Sequence, residues 1–316
     1  MKTVISLVVG LFLFSGCAHG QDMGGHHHTT PASPADTNET QDWAKQRLAK
    51  SSRHQEWVKV KNGTREVNSF VVYPEVKNKA TAVVVIHEIF GMSDWVQSLT
   101  DQLAEAGYIA IAPDLLSGMG PNGGGTSSLD RQGVGQAIRD LPADQITADL
   151  NAVADYVSKL PASNGKVVVA GYCWGGSQTF RFATNRPSLK AAFVFYGSGP
   201  AGADNAPDKE KLEKIAAPVY GFYAGNDARI NATLPATTQA MTELKKTYEP
   251  VTYEGAGHGF MRAGDAPEPT APTATGNKEA DDKATADYQK ALTAYKANKK
   301  ARDEAWVRWK KILSAI

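Results

Sequence analysis

The chain has 316 residues, 42% of them hydrophobic and 21% charged, with a formal net charge of +1. That length accommodates one large α/β domain with appendages, and a charge balance so close to zero excludes nucleic acid as the main partner. Two cysteines, Cys17 and Cys173, are too few for a disulfide framework.

The N-terminus differs in kind from the rest. Lys2 precedes a short apolar run, Val4–Phe14, too brief to span a bilayer, and then Phe14-Ser15-Gly16-Cys17 places small residues just before a cysteine. Residues 1–17 resemble a bacterial lipoprotein signal, which implies cleavage before Cys17 and a lipid on its sulfur. Ala18 after the cysteine leans towards the outer membrane, and the alternative is an ordinary secretory signal cut nearby. Either reading puts the protein outside the cytoplasm, in the cell envelope, touching membrane only through the N-terminal anchor. With Cys17 lipidated or removed, Cys173 has no disulfide partner. Residues 18–42 are mainly Gly, His, Thr, Pro, Ser and Asn, a tether rather than a fold, in which His26-His27-His28 reads as spacer.

The folded domain is expected over residues 43–265. Trp43–Ser51 reads as a short helix. Trp57–Val60 and Val67–Tyr73 read as an antiparallel pair turning at Asn62-Gly63. Ala80–Ile86 is a continuous apolar strand ending in His87-Glu88-Ile89-Phe90-Gly91. A helix over Trp95–Ala106 stops at Gly107, and Tyr108–Ala112 is a strand ending in Pro113-Asp114. Residues 116–142 read as a Gly-rich, irregular excursion. Ile146, Leu150, Val153, Val157 and Leu160 recur at helical spacing across Ala143–Leu160. Further on come strands at Lys190–Tyr196, Pro218–Tyr223 and Val251–Glu254, with a helix over Leu234–Tyr248. Strands alternating with helices predict a mostly parallel, doubly wound sheet with helices on both faces. Residues 266–300 turn to Pro, Thr and Ala and then to a charged helical insertion, and residues 301–316 read as a helix completing the domain. The stripe of Tyr288, Leu292, Tyr295, Trp306, Trp309 and Leu313, its gaps filled by Lys299 and Arg302, is expected to pack on the domain, the alternative being a lid or partner-binding helix.

The chemistry centres on Lys166–Gly176, KVVVAGYCWGG. An unbroken apolar run is how a strand buried on both faces reads. The glycines flanking Tyr172-Cys173-Trp174 allow a sharp turn into a helix where a side chain would clash, the form of a nucleophile elbow with a cysteine at its apex. The free N–H groups and dipole of the following helix favour a thiolate there. The bland alternative is a buried, inert cysteine. A thiol nucleophile needs a base, and the base an orienting acid. Asp227 and His258 follow Cys173 in the chain order found in α/β-hydrolases, each at a predicted strand end, and His258 is the only histidine after residue 87. Ligands in such sheets bind beyond the carboxyl ends of the strands.

On His87-Glu88-Ile89-Phe90-Gly91, Gly171-Tyr172-Cys173-Trp174-Gly175-Gly176, Asn226-Asp227 and Gly257-His258-Gly259-Phe260-Met261-Arg262, the chain resembles the dienelactone hydrolase family of α/β-hydrolases. That resemblance implies Cys173 as nucleophile, His258 as base and Asp227 as orienting acid. It implies that Glu88 contacts the resting thiol and helps generate the thiolate. Arg262 would pair with a substrate carboxylate and Arg131 would be a second such arginine, in a segment that departs from the family pattern. The N–H groups of Trp174 and Ile89 are the expected oxyanion donors. The implied reaction is hydrolysis of a small-molecule lactone or carboxylic ester through an acyl-cysteine, with no metal or organic cofactor. A broader carboxylesterase or thioesterase, or a non-catalytic envelope module, are the alternatives.

Overall fold

In the computed structural model, residues 41–202 and 204–316 are described. The signal-like segment, Cys17 and the tether through residue 40 lie outside them. Helix α1 (Asp42–Ala49) leads to the antiparallel hairpin of β1 (Gln55–Asn62) and β2 (Arg65–Val72). The chain then alternates: β3 (Ala80–Ile86), α2 (Asp94–Glu105), β4 (Ile109–Pro113), α3 (Arg131–Asp140), α4 (Ala143–Ser158), β5 (Ser163–Tyr172), α5 (Trp174–Asn185) and β6 (Ala192–Phe195). It closes with α6 (Lys209–Glu213), β7 (Val219–Ala224), α7 (Ala228–Asn231), α8 (Leu234–Glu243), β8 (Tyr248–Tyr253) and α9 (Lys278–Leu313).

The eight strands form one sheet in the order β1-β2-β4-β3-β5-β6-β7-β8. β2 pairs antiparallel with β1 and β4, and every pairing from β4 through β8 is parallel. The fold is the mostly parallel α/β-hydrolase architecture. Alternation of side chains divides the core into two layers. Ala82, Val84, Ile86, Val167 and Val169 face α4, α5 and α8, where Leu150, Val153, Phe180 and Met241 meet them. Val83, Val85, Val168, Ala170 and Tyr172 face α2 and α9, against Val96, Leu99, Ala305 and Trp309. Both faces of β3 and β5 are therefore buried, which is why their sequences run apolar without alternation.

Three elements differ in extent from the sequence reading. Within residues 116–142 the chain forms α3, started by Asp130 accepting from the Gly133 N–H and buried through Val134, Ala137 and Ile138. The helix expected to reach Tyr248 stops at Glu243, and Tyr248 already belongs to β8. α9 is a single helix of 36 residues that runs through residue 300 without a break. Its C-terminal half buries Ala301, Ala305, Trp309 and Leu313, and Trp309 meets Phe195 edge-on with centroids 5.0 Å apart.

The chain passes from β3 to β4 on one side of the sheet and crosses to β5 on the other. Such a switch opens a crevice at the carboxyl ends of β3 and β5, and the loops after β7 and β8 end on the same side.

Candidate active site

Cys173 sits between the last residue of β5 and the first of α5, at φ 57° and ψ −118°. A side chain there crowds its own backbone, and residues held in such conformations concentrate at functional sites. The strain is sustained by tight surroundings. The Cys173 N–H donates to the Phe195 carbonyl at 3.0 Å, and its own carbonyl accepts from Gly176 and Ser177. A Cβ on Gly171 would lie 2.1 Å from the Gly175 carbonyl oxygen, and one on Gly175 would lie 2.3 Å from that of His87. Only glycine fits at either position. The thiol is half-buried.

Asp227 follows β7 and His258 follows β8, and the two loops are stitched together. The Gly225 N–H donates to the Tyr253 carbonyl at 2.8 Å, the Asn226 N–H to that of Ala256 at 2.9 Å, and Asn226 Nδ2 to that of Gly255 at 2.9 Å. Asn231 Nδ2 holds the turn from beneath, donating to the carbonyls of Ala224 and Gly225. Across this seam Asp227 Oδ2 lies 2.5 Å from His258 Nδ1, while Oδ1 accepts from the Ile230 N–H at 3.3 Å. The Tyr196 ring meets the imidazole edge-on at 4.9 Å, and Asn298 on α9 accepts from the Gly257 N–H at 2.7 Å.

Burial acts to lower the His258 pKa, but the hydrogen bond to Asp227 and the proximity of Cys173 outweigh it and hold the imidazole at about 9. Asp227 is likewise opposed by burial, yet its bond to His258 keeps it below the ordinary carboxylate value. Nδ1 faces Asp227; the other ring nitrogen, Nε2, is buried and left for Cys173. Cys173, His258 and Asp227 therefore gather on one side of the sheet, with the imidazole between a carboxylate and a sulfur. Such a group can carry a thiol's proton and later activate water.

Glu88, after β3, is buried, and its Oε2 lies 3.3 Å from Arg262 Nε, the two side chains being 2% and 4% exposed. Arg262 also lies over the Phe90 ring at 5.4 Å. The arginine that the family resemblance assigns to a substrate carboxylate is thus engaged with Glu88 here. Arg131 opens α3 and is solvent-exposed, with no hydrogen bond or ion pair to these residues. Ile89 is 43% exposed at the rim. Neither its N–H nor that of Trp174 has a backbone acceptor among the described residues. Among those residues no group of three or more His, Cys, Asp or Glu side chains is disposed to hold a metal.

Sequence reasoning assigned no role to His87, Asp114, Thr126 or Asn298. His87 is fully buried, with Nδ1 2.8 Å from the Glu88 carbonyl oxygen and Nε2 accepting from the Leu115 N–H at 3.3 Å. This fixes the neutral tautomer with its proton on Nδ1; burial lowers its pKa, against the pull of Asp114. Its ring stacks on Trp174 at 5.5 Å. Only the strand-end position of His87 and the Pro113-Asp114 step hinted at such contacts, because the partners lie in separate loops.

The sequence model of the dienelactone hydrolase family matches residues 67–316. A Salmonella typhi protein carrying the provisional name carboxymethylenebutenolidase is 31% identical over 201 residues, 62% of this chain and 73% of its own length. A Saccharolobus solfataricus protein of the same provisional name is 32% identical over 228 residues, covering 62% of this chain and 84% of its own. Among solved structures, a Klebsiella pneumoniae protein provisionally described as a dienelactone hydrolase superposes with a TM-score of 0.59 at 26% identity, over 78% of this chain and 99% of that one. A metagenomic dienelactone hydrolase-like promiscuous phosphotriesterase superposes with a TM-score of 0.63 at 18% identity, over 84% and 99%, a likeness of fold.

Proposed function

The chain belongs to the dienelactone hydrolase family and is a hydrolase of that type, and from this membership we propose that it opens a lactone or cleaves a carboxylic ester through an acyl-cysteine on Cys173. The observation that carries the reading is the Asp227–His258 hydrogen bond set beside a cysteine in the left-handed apex of a strand-to-helix elbow.

The Cys173 thiolate attacks the substrate carbonyl carbon, and the carbonyl electron pair moves onto oxygen. The N–H groups of Ile89 and Trp174 receive that oxyanion. Collapse expels the alkoxide, which takes the proton held on His258, and leaves a thioester on Cys173. His258, now neutral and still oriented by Asp227, removes a proton from water as it attacks the thioester; the acid departs and the thiol is restored. Glu88 is the group expected to assist formation of the thiolate when substrate arrives. Its partner Arg262 is the group expected to receive a substrate carboxylate. The engagement of Arg262 by Glu88 favours, as a second reading, an ester without an acidic group.

The assay is hydrolysis of a dienelactone and of short p-nitrophenyl esters by wild type and Cys173→Ala. Hydrolysis abolished in the variant supports the reading; equal rates overturn it, and equal rates at background level favour a non-catalytic envelope module. Preference for the dienelactone that survives Arg262→Ala removes the carboxylate role from Arg262. For localisation, the sequence of residues 1–17 supports export with lipid on Cys17. A mature N-terminus bearing lipid on that cysteine agrees with this proposal, and an unmodified cut after Gly20 refutes it.

A further inference from the structure

The loop between β4 and α3 looks from its composition like a free excursion, yet its single threonine, Thr126, is built into the site. Asp114, 5% exposed, accepts three hydrogen bonds from this loop. The Leu116 N–H reaches Oδ1 at 3.1 Å, the Thr126 N–H reaches Oδ2 at 2.8 Å, and the Thr126 hydroxyl reaches Oδ1 at 2.7 Å. Having donated its proton to Asp114, the same hydroxyl oxygen accepts from the Met92 N–H at 3.1 Å. Met92 closes the turn that begins at Glu88, in which the Gly91 N–H donates to the Glu88 carbonyl at 3.2 Å. Contact is close: a Cβ on Gly91, whose φ is +68°, would lie 2.4 Å from Thr126 Oγ1. The other end of the turn is held by the same loop, since the Leu115 N–H donates to His87 and His87 donates to the Glu88 carbonyl.

We propose that Thr126, fixed by Asp114, is a positioning residue that sets the Glu88–Met92 turn and with it the Ile89 N–H as an oxyanion donor. This rests on the acyl-cysteine reading above. A hydroxyl that donates to a buried carboxylate has one orientation, so its lone pair is aimed at the Met92 N–H before substrate arrives, and the donor next to the reacting carbonyl does not have to reorganise during reaction. The turn carries no strand or helix hydrogen bonds of its own. With the latch gone, the Ile89 N–H is free to drift by a fraction of an ångström to an ångström, and misplacement on that scale costs up to about 100-fold in rate.

The test compares Thr126→Val and Thr126→Ala, which delete the hydroxyl, with Thr126→Ser, which keeps it, in p-nitrophenyl ester hydrolysis normalised to the folded fraction; two deletions are made so that one folded protein suffices. The expected result is a kcat lower by about 10-fold to 100-fold in the deletion variants with KM within threefold, and recovery in Thr126→Ser to near the wild-type rate. Binding of a short aldehyde that adds reversibly to Cys173 as a tetrahedral adduct falls in parallel with kcat. Deletion variants whose kcat per folded molecule stays within twofold of wild type overturn the proposal, as does a loss that Thr126→Ser does not restore. Cys173→Ala is run beside them: hydrolysis unaffected in that variant refutes the acyl-cysteine reading itself, a separate failure from that of the latch.

Discussion

Replacing Asp227 by asparagine removes one charge from the centre of the site and little else. Asparagine is as good a helix cap as aspartate, so the bond from the Ile230 N–H that starts α7 is retained. The imidazole, held at about 9 against an ordinary 6.5, owes part of that rise to Asp227 and part to Cys173. The whole interval corresponds to about 3 kcal/mol favouring the imidazolium, net of the burial that opposes it. An amide at 227 also presents a donor as readily as an acceptor, which permits the wrong imidazole tautomer; in a serine triad the equivalent change costs about 10⁴ in kcat. We predict that Asp227→Asn lowers kcat/KM for an aryl ester by about 10²- to 10⁴-fold. The His258 titration, followed by NMR of the labelled imidazole, moves from about 9 towards the ordinary value. A variant whose imidazole still titrates near 9 and whose kcat/KM stays within threefold of wild type refutes the reasoning.

Four other outcomes follow from the same geometry. Because the folded-state pKa of His258 is raised, its contribution to stability is complete below 6.5 and is lost as pH rises through about 9; the fall in denaturation midpoint between pH 6 and pH 10 should be smaller in Asp227→Asn than in wild type. Gly175→Ala forces a Cβ to within 2.3 Å of the His87 carbonyl oxygen and should destabilise the fold by more than about 2 kcal/mol in urea titration, a large value for a single methyl group. Arg262→Ala removes the guanidinium beside the buried Glu88 carboxylate and should cost about 3–5 kcal/mol, whereas the double variant Arg262→Met/Glu88→Leu should recover most of that stability while remaining impaired in turnover. Asn298→Ala releases the Gly257 N–H beside the base and should lower kcat several-fold, with Asn298→Asp, which keeps the acceptor, closer to wild type.

Much of this site was legible because it is built at strand ends, and strand ends are marked by composition. The apolar run of β3 ends at Ile86, two residues before Glu88, and that of β5 ends at Tyr172, beside Cys173; β7 and β8 end at Ala224 and Tyr253, in the loops that carry Asp227 and His258. A sheet that is parallel from β4 through β8 then delivers all four to one side. α3 was missed because Gly133 and Gly135 interrupt its helical propensity, although Val134, Ala137 and Ile138 recur at helical spacing once the start at Asp130 is known. The ends of α8 and β8 were misplaced because Lys245 takes a positive φ of 55° between them, which an ordinary lysine does not advertise. The charged stretch before residue 300 looked separate from the helix after it, yet no glycine or proline interrupts residues 278–313 and the backbone runs on. Contacts such as Thr126 to Met92 depend on how two irregular loops fall against each other, and no periodicity encodes that. The engagement of Arg262 by Glu88 was equally hidden, since the pairing is decided by burial of both side chains rather than by their spacing.

The measurement that bears most directly on the mechanism is capture of the intermediate. Wild type is mixed with a slowly deacylating aryl ester, quenched in acid within the burst, digested and mapped by mass spectrometry. The account predicts an acyl group on Cys173, formed at the rate of the burst and absent from Cys173→Ala. Turnover of the same ester with the acyl group on another residue, or with no adduct and no burst while Cys173→Ala remains active, contradicts it.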